Sequence, residues 1–338
     1  MQKREPPPIL RLHAVSGLGD RLLDGIGYAT LCRTLGYADR PKIAWDSGQT
    51  DFNRARNRSS YGKEQFATLP WTPVSEADIV RGVTTFSGHT PGFSFFPEAI
   101  ESVLLESGSE SRFREIVDAF VSLATEITPS PAIRAVMPAD IGEAVGIHLR
   151  KSDKIAQRVD GCGHEVTVSE FVQTMSKLVD YVLTTYPKGT KFFVCSEDDA
   201  HKKEFKSFLR GASFVCIELG EDRGGGASAD LADFFALSMC STVVQGIKYS
   251  TFSAVAAIVG RKPLINLADF ERTKNHTNVW APLLVNYGHA YRWDANPHRA
   301  EILREYCRPG WILDEIQRAL PLSSSTTTNP TTKKRQIL

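Results

Sequence analysis

Predominantly apolar runs alternate with helical patterns through the second half of this chain, and this alternation restricts its fold more than any other feature. Predicted strands lie at Ala144–Leu149, Lys191–Cys195, Ser213–Ile217, Thr242–Gln245 and Pro263–Asn266. Predicted helices lie between them at Val168–Thr185, Asp199–Leu209, Ser228–Met239 and Thr251–Val259. Strands that alternate with helices in this way form βαβ units and a parallel sheet. Because the strands are short continuous apolar runs, we expect helices on both faces of that sheet.

The first half begins with the same alternation. An apolar run, Ile9–Val15, is followed by a helical pattern from Asp20 to Leu35 and by a second strand at Pro41–Asp46. Farther along, Arg112–Ile127 has apolar residues at helical spacing. The segment Thr128–Pro138 contains three prolines and is the candidate linker between two units.

The chain is long enough for two domains, since its 338 residues exceed the ~100–200 residues of an average domain. We predict an α/β domain over residues 1–135, a Rossmann-like domain over residues 136–320 and a low-complexity, disordered tail over residues 321–338. A cleft between two such domains is a favoured place for a ligand, which would lie at the carboxyl ends of the strands.

Composition argues against several classes of protein. Apolar residues make up 42% and charged residues 23%, and the formal net charge of +1 lacks the basic excess of a general nucleic-acid binder. No run approaches the ~18 apolar residues of a membrane span, and Met1–Val15 lacks the apolar core of a signal peptide. We therefore expect a cytoplasmic protein, or a chain given without its targeting segment. The six cysteines form no CxxC pair, which favours reduced core residues over zinc ligands.

Charged residues follow the first predicted strand of the second half. The sequence from Val145 is VGIHLRKSDKIAQ, so His148, Arg150 and Lys154 lie at the strand's carboxyl end or just past it. A guanidinium group binds phosphate oxygens in a bidentate manner, and a lysine would add a second positive charge. The sequence is therefore compatible with an anion site, and equally with a strand end whose charges are solvated or paired.

Gly17 and Gly19 lie between the first predicted strand and helix. Glycines in this position can cradle a pyrophosphate, because they let it approach free backbone N–H groups. Leu22 replaces the third glycine of the dinucleotide fingerprint, and Asp20 adds a negative charge beside the loop. An NAD enzyme is therefore disfavoured, whereas a phosphate-binding loop and a simple tight turn both remain possible.

Two further segments have both a structural and a functional interpretation. The acids of Ser196-Glu197-Asp198-Asp199 could form a DxD-like metal site, but Ser196 as a helix N-cap with Asp199 three residues on is favoured. Ser250 and Thr251 could bind an anion at the start of a small-residue helix, or simply cap that helix, and the two roles are compatible.

Taken in order, these motifs resemble those of the fucosyltransferase superfamily with the GT-B-like fold, which includes nodulation-type and core α1,6-fucosyltransferases and protein O-fucosyltransferases. The matching stretches are GLGDRL at residues 17–22, GIHLRKSDK at 146–154, FFVCSEDD at 192–199, and DFFALS at 233–238 followed by STFS at 250–253. The likeness spans residues 9–270, or most of the chain.

The resemblance implies a glycosyltransferase with two Rossmann-type domains facing each other across a cleft. It would move a sugar, L-fucose from GDP-fucose, to a hydroxyl of a glycan acceptor, with inversion and without a metal or cofactor. Separately, because aromatic faces can stack on sugars, the aromatic segment around Trp71, Phe93, Phe95 and Phe96 would help to shape the acceptor side, although core packing is the commoner role for any one of these residues. Another donor such as UDP-xylose, or a non-catalytic nucleotide-sugar-binding protein, remains an alternative.

The resemblance also implies roles for single residues. Arg150 would bind the β-phosphate and stabilise the departing diphosphate, with His148 in the donor pocket and Asp233 hydrogen-bonded to the base. The remaining donor-binding residues would be Gly17, Gly19, Lys154, Glu197, Asp198, Ser250, Thr251 and Phe252.

The chain departs from the superfamily's pattern in two places. Lys151 replaces the second arginine, and Gln157 and Arg158 occupy the region where core fucosyltransferases carry an acid. The general base that activates the acceptor hydroxyl is therefore left open, with Asp20, Asp160 and Glu165 as candidates.

Overall fold

The chain forms two parallel sheets and one short antiparallel pair of strands. The computed structural model describes residues 6–7, 9–11, 17–34, 36–44, 63–75, 79, 85–87, 118–150, 168–220, 227–246 and 250–267. Its strands are β1 (Ile9–Arg11), β2 (Lys42–Ala44), β3 (Phe66–Thr68), β4 (Thr72–Val74), β5 (Thr85–Ser87), β6 (Thr128–Pro129), β7 (Val145–Leu149), β8 (Lys191–Ser196), β9 (Val215–Ile217), β10 (Thr242–Gln245) and β11 (Leu264–Asn266).

Helices connect the strands in the βαβ manner that the sequence predicts. They are α1 (Leu18–Thr34), α2 (Pro131–Ala135), α3 (Val168–Thr185), α4 (Asp199–Gly211), α5 (Ala227–Met239) and α6 (Thr251–Gly260). Residues 118–124 are also helical, and Lys63–Gln65 and Ile141–Glu143 form 3₁₀ turns. No helix within the described ranges is long and apolar enough to cross a membrane.

Both larger sheets are parallel throughout. The first has the strand order β4-β2-β1-β5, and the second has the order β11-β10-β7-β8-β9. The predicted α/β fold class with parallel sheets is therefore confirmed. The division into domains at residues 1–135 and 136–320 stays a prediction, and the tail at 321–338 lies outside the described residues.

Apolar side chains cover the second sheet on both faces, as its uninterrupted apolar strands predict. One cluster packs Ile147 and Val194 against Leu178 of α3 and Phe205 of α4. The other face packs against α5 and α6, and its cluster continues into α1 of the first half. A single apolar cluster thus joins the two parallel sheets through α1.

The proline-rich segment at Thr128–Pro138 has regular structure. β6 pairs with β3 in antiparallel fashion, and α2 follows directly. The Ser130 side chain accepts a hydrogen bond from the Ile133 N–H at 3.4 Å, with Pro131 at the first helical position, where its missing N–H does no harm. The candidate linker therefore contains a strand and a capped helix.

Two expectations about single side chains have different outcomes. Cys32, Cys195 and Cys240 are buried free thiols, as predicted, and burial raises the pKa of Cys32 and of Cys240 to about 12. Trp71, in contrast, is 2% exposed and packs against Gly25 of α1, so it belongs to the core and does not shape an acceptor surface. Phe93, Phe95 and Phe96 lie outside the described residues.

α5 and α6 cross closely because a glycine, which has no side chain, lies at the crossing point. A Cβ on Gly260, the last residue of α6, would lie 1.7 Å from the carbonyl oxygen of Ser238 in α5. Gly260→Ala should therefore lower the free energy of unfolding by about 1–3 kcal/mol or more, the usual cost of overpacking. Urea denaturation of the full chain measures this loss.

Gly211→Ala is the matched control for that change, since Gly211 also ends a helix, α4, but has open space around its would-be Cβ. The control should be neutral or slightly stabilising. Equal stability of the two variants would contradict the close crossing of α5 and α6.

Candidate functional site

A row of polar side chains crosses the second sheet near the carboxyl ends of its strands. Gln245 of β10, His148 of β7 and Cys195 of β8 are register partners. Register partners in parallel strands point to the same face, and here that face is the one covered by α5 and α6. Two residues earlier the row is Val243, Gly146 and Phe193, which belongs to the core. The polar row therefore marks the point where the core gives way to a site.

His148 is the centre of a buried hydrogen-bonded group. Its Nδ1 lies 3.2 Å from Ser253 Oγ and 3.3 Å from Ser250 Oγ, and Ser253 Oγ donates to Gln245 Oε1 at 3.0 Å. The ring centroid of Phe252 lies 5.1 Å from that of His148. The structure thus joins three residues from the predicted set, His148, Ser250 and Phe252. It adds Gln245 and Ser253, to which the sequence analysis gave no role.

Ser250 occupies the N-cap position of α6, but its side chain makes no capping hydrogen bond. The hydroxyl faces His148 instead. Simple capping by Ser250 is therefore not what the structure shows, and its side chain belongs to the His148 group. Thr251 begins the helix beside it and is half-buried.

The first turns of α1 and α6 touch through their backbones. A Cβ on Gly19 would lie 2.6 Å from the backbone nitrogen of Phe252 and 2.6 Å from the carbonyl carbon of Thr251. Because the start of a helix carries a partial positive charge and unpaired N–H groups, this contact concentrates positive potential at one place. Gly17, in contrast, has only Asp20 Oδ2 at 3.6 Å from its would-be Cβ, which is an ordinary contact.

Arg150 is the first residue after β7 and is half-buried. Since it follows His148 by two residues, the two Cα atoms lie within about 7 Å of each other. Asp20 is in the first turn of α1 and is also half-buried. Lys154, Asp160 and Glu165 lie outside the described residues, as do Gln157 and Arg158.

Three solved structures of enzymes are similar to this chain. No family model and no curated protein matches this chain. Fucosyltransferase NodZ from Bradyrhizobium is 16% identical, with a TM-score of 0.45 over 78% of this chain and 96% of that one. An Arabidopsis thaliana FUT1 mutant in complex with GDP is 12% identical, with a TM-score of 0.49 over 78% and 72% of the two chains. POFUT1 in its apo form is 11% identical, with a TM-score of 0.40 over 79% and 99%. All three are fucosyltransferases.

The cap of α4 differs from the prediction by two residues. Asp198, not Ser196, is the N-cap, and its carboxylate accepts from the His201 N–H at 3.0 Å. Ser196 ends β8 and accepts from the Asp198 N–H at 3.2 Å. The helix starts at Asp199, and Glu197 is exposed. A cap is therefore confirmed, but Ser196 was the wrong residue for it. Among the described residues, no cluster of three His, Cys, Asp or Glu side chains could hold a metal ion.

Asp233 of α5 pairs with a lysine that the sequence analysis missed. Lys202 Nζ donates to Asp233 Oδ2 at 3.2 Å, and the two side chains are only 11% and 15% exposed. Burial raises the pKa of the neighbouring Cys195 well above its usual value, and the charge of Asp233 raises it further. Lys202 could have been noticed because it lies three and seven residues before Phe205 and Leu209, on the buried face of α4.

The contact between Gly19 and α6 makes a direct prediction. Gly19→Ala should lower the free energy of unfolding by about 1–3 kcal/mol, because the opposing atoms are backbone and cannot rotate away. Gly17→Ala, two residues earlier and directly before α1, should change it by less than about 1 kcal/mol. Thermal and urea unfolding of the two variants measure the difference, and a tolerated alanine at position 19 would rule out the contact.

Proposed function

We propose that this chain is an inverting, metal-independent glycosyltransferase that moves L-fucose from GDP-fucose to a hydroxyl of a glycan. The contact between the first turns of α1 and α6 at Gly19 is the observation that carries this proposal. Two positive helix ends repel each other unless an anion lies across them. The diphosphate of a nucleotide sugar is an anion of suitable size and charge.

Arg150 has the chemistry that departure of the sugar requires. The bond between the anomeric carbon and the diphosphate oxygen breaks, and negative charge develops on that oxygen. A guanidinium group and backbone N–H groups that are fixed in advance stabilise such charge without a metal ion. Lys154 is proposed to add a second positive charge.

The nucleoside is proposed to lie along the face of the sheet that α5 and α6 cover. Phe252 contacts His148 on one side and Phe234 on the other, with ring centroids 5.1 and 5.5 Å apart. Asp233 precedes Phe234 and is held by Lys202. Polar groups and an aromatic ring thus lie close together on this face, where they could contact a base and a ribose. The motif resemblance assigns Glu197, Asp198 and Thr251 to the donor site as well.

A thermal-shift panel tests the donor. Free GDP, UDP, GDP-fucose and UDP sugars are compared, because a ligand that binds only the native state raises the unfolding temperature. We expect stabilisation by GDP and GDP-fucose. Stabilisation by UDP sugars alone would mean that the donor is a UDP sugar and not GDP-fucose. Binding without turnover in the presence of glycan acceptors would indicate a non-catalytic binding protein. No shift with any of these ligands would overturn the proposal.

Arg150→Ala should lower the rate of transfer by at least about 100-fold, because it removes charge stabilisation from the leaving group. Its unfolding temperature should stay close to that of the wild type. Arg134→Ala in α2, where the arginine is exposed, is the matched control and should retain full activity. Wild-type rates in Arg150→Ala would refute the proposed role.

The general base is tested by comparing Asp20→Asn with Asp160→Asn. The variant that lacks the base should lose transfer by about 10²–10⁴-fold while it binds the donor with unchanged affinity, since the base acts on the acceptor hydroxyl. Initial rates and isothermal titration with GDP separate the two effects. Full activity in both variants would exclude both candidates.

Inversion and metal independence are tested in one reaction. The NMR spectrum of the product should show the anomeric configuration opposite to that of the donor sugar. Transfer should proceed at an unchanged rate in excess EDTA. Retention of configuration, or a loss of rate that Mg²⁺ or Mn²⁺ restores, would contradict the respective part of the proposal.

A further inference from the structure

Gln245, Ser253 and His148 form a chain of hydrogen bonds whose direction has consequences for the ligand. We propose that Gln245 and Ser253 are positioning residues that fix His148 in the tautomer with its proton on Nδ1. His148 Nε2 then accepts a hydrogen bond from a donor group on the nucleoside part of the substrate. The identity of that substrate rests on the proposed function, whereas the tautomer does not.

The direction follows from counting protons. Ser253 has one hydroxyl proton, which it donates to the amide oxygen of Gln245 at 3.0 Å. Toward His148 Nδ1, 3.2 Å away, Ser253 Oγ can therefore act only as an acceptor. An Nδ1 without a proton would set two lone pairs against each other at that distance. A proton on Nδ1 turns the same contact into a hydrogen bond.

Ser250 agrees with this assignment. Its Oγ lies 3.3 Å from the same Nδ1 and can share the Nδ1–H as a second acceptor. The hydroxyl proton of Ser250 is then not used on His148.

Burial fixes the direction of this chain of hydrogen bonds from His148 to Gln245, which we call the relay. Gln245, Ser250 and Ser253 are at most 1% exposed, so water cannot readily exchange for any of the partners. Reversing one hydrogen bond would leave a buried lone pair or proton unmatched, which costs more than in water. The ring orientation is held as well, since Phe252 lies against the His148 ring at 5.1 Å.

The tautomer restricts which part of a nucleotide can face His148. An Nε2 lone pair accepts from a ribose hydroxyl or from an N–H group of the base, and it repels a phosphate oxygen. His148 should therefore contribute to recognition of the nucleoside, whereas Arg150 contributes to the diphosphate.

The tautomer is measured on the free protein by long-range ¹H–¹⁵N correlation of histidine-labelled chain, with His148→Gln used to assign the signals. We expect a protonated Nδ1 and an unprotonated Nε2 at pH 8. A proton on Nε2 alone would overturn the relay, because it would mean that Ser253 donates to His148.

Gln245→Met tests the positioning role, since it removes the acceptor at similar volume and frees the Ser253 proton for Nδ1. The proton on His148 should then shift to Nε2. Ser250→Ala is the matched control, because it deletes a hydroxyl at nearly the same distance from Nδ1 but leaves Ser253 as acceptor, and the tautomer should not change. An unchanged tautomer in a folded Gln245→Met would refute the role of Gln245.

Affinities for guanosine and GDP test the ligand side. Gln245→Met should weaken both by a similar factor of about tenfold, the effect of one lost hydrogen bond. Weaker binding of GDP with unchanged binding of guanosine would overturn the nucleoside assignment. If wild-type protein bound neither, the nucleoside assignment and the proposed function would both fail, and the NMR result would still decide the relay.

Discussion

The backbone contact between α1 and α6 at Gly19 is the constraint on which the candidate site depends. It brings the beginnings of two helices to the carboxyl edge of a parallel sheet, one from each half of the chain. The apolar cluster behind it, with Leu22 and Ile26 of α1 and Val255 of α6, holds both helices in place. A favourable place for an anion is thus a by-product of core packing, and it needs no large local positive charge. This agrees with a chain whose net charge is only +1.

The polar row on the second sheet is the other half of the arrangement. Two of its members are joined by hydrogen bonds, Gln245 through Ser253 to His148, and near the third, Cys195, Asp233 of α5 pairs with Lys202. A buried network of this kind is rigid when every member has a partner. The candidate site therefore combines a buried polar group, which we propose faces the nucleoside, with helix ends that carry positive potential.

Much of the fold follows from local sequence, and much of the site does not. β10 and α3 have the predicted bounds, because an uninterrupted apolar run and a strong amphipathic pattern need no tertiary information. Local reasoning failed at the cap of α4, where β8 runs on through Ser196 and leaves the capping to Asp198. It also missed Lys202, Gln245 and Ser253, since their partners lie on other secondary-structure elements. His148 and Gly19 could be named from their places at a strand end and before a helix, whereas their proposed roles toward a nucleotide sugar came from the motif resemblance.

The shared core behind α1 also has a thermodynamic meaning. Because a single apolar cluster extends from α1 across α5 and α6, the two helix ends cannot separate without exposing core side chains to water. The two helix ends that we propose hold the diphosphate are therefore in place before any ligand arrives. Heat capacity should consequently change little when a nucleotide binds there, since burial of apolar surface is what makes that change large. A protein built in this way spends its folding free energy on preorganisation, and the ligand meets a surface that is already in place.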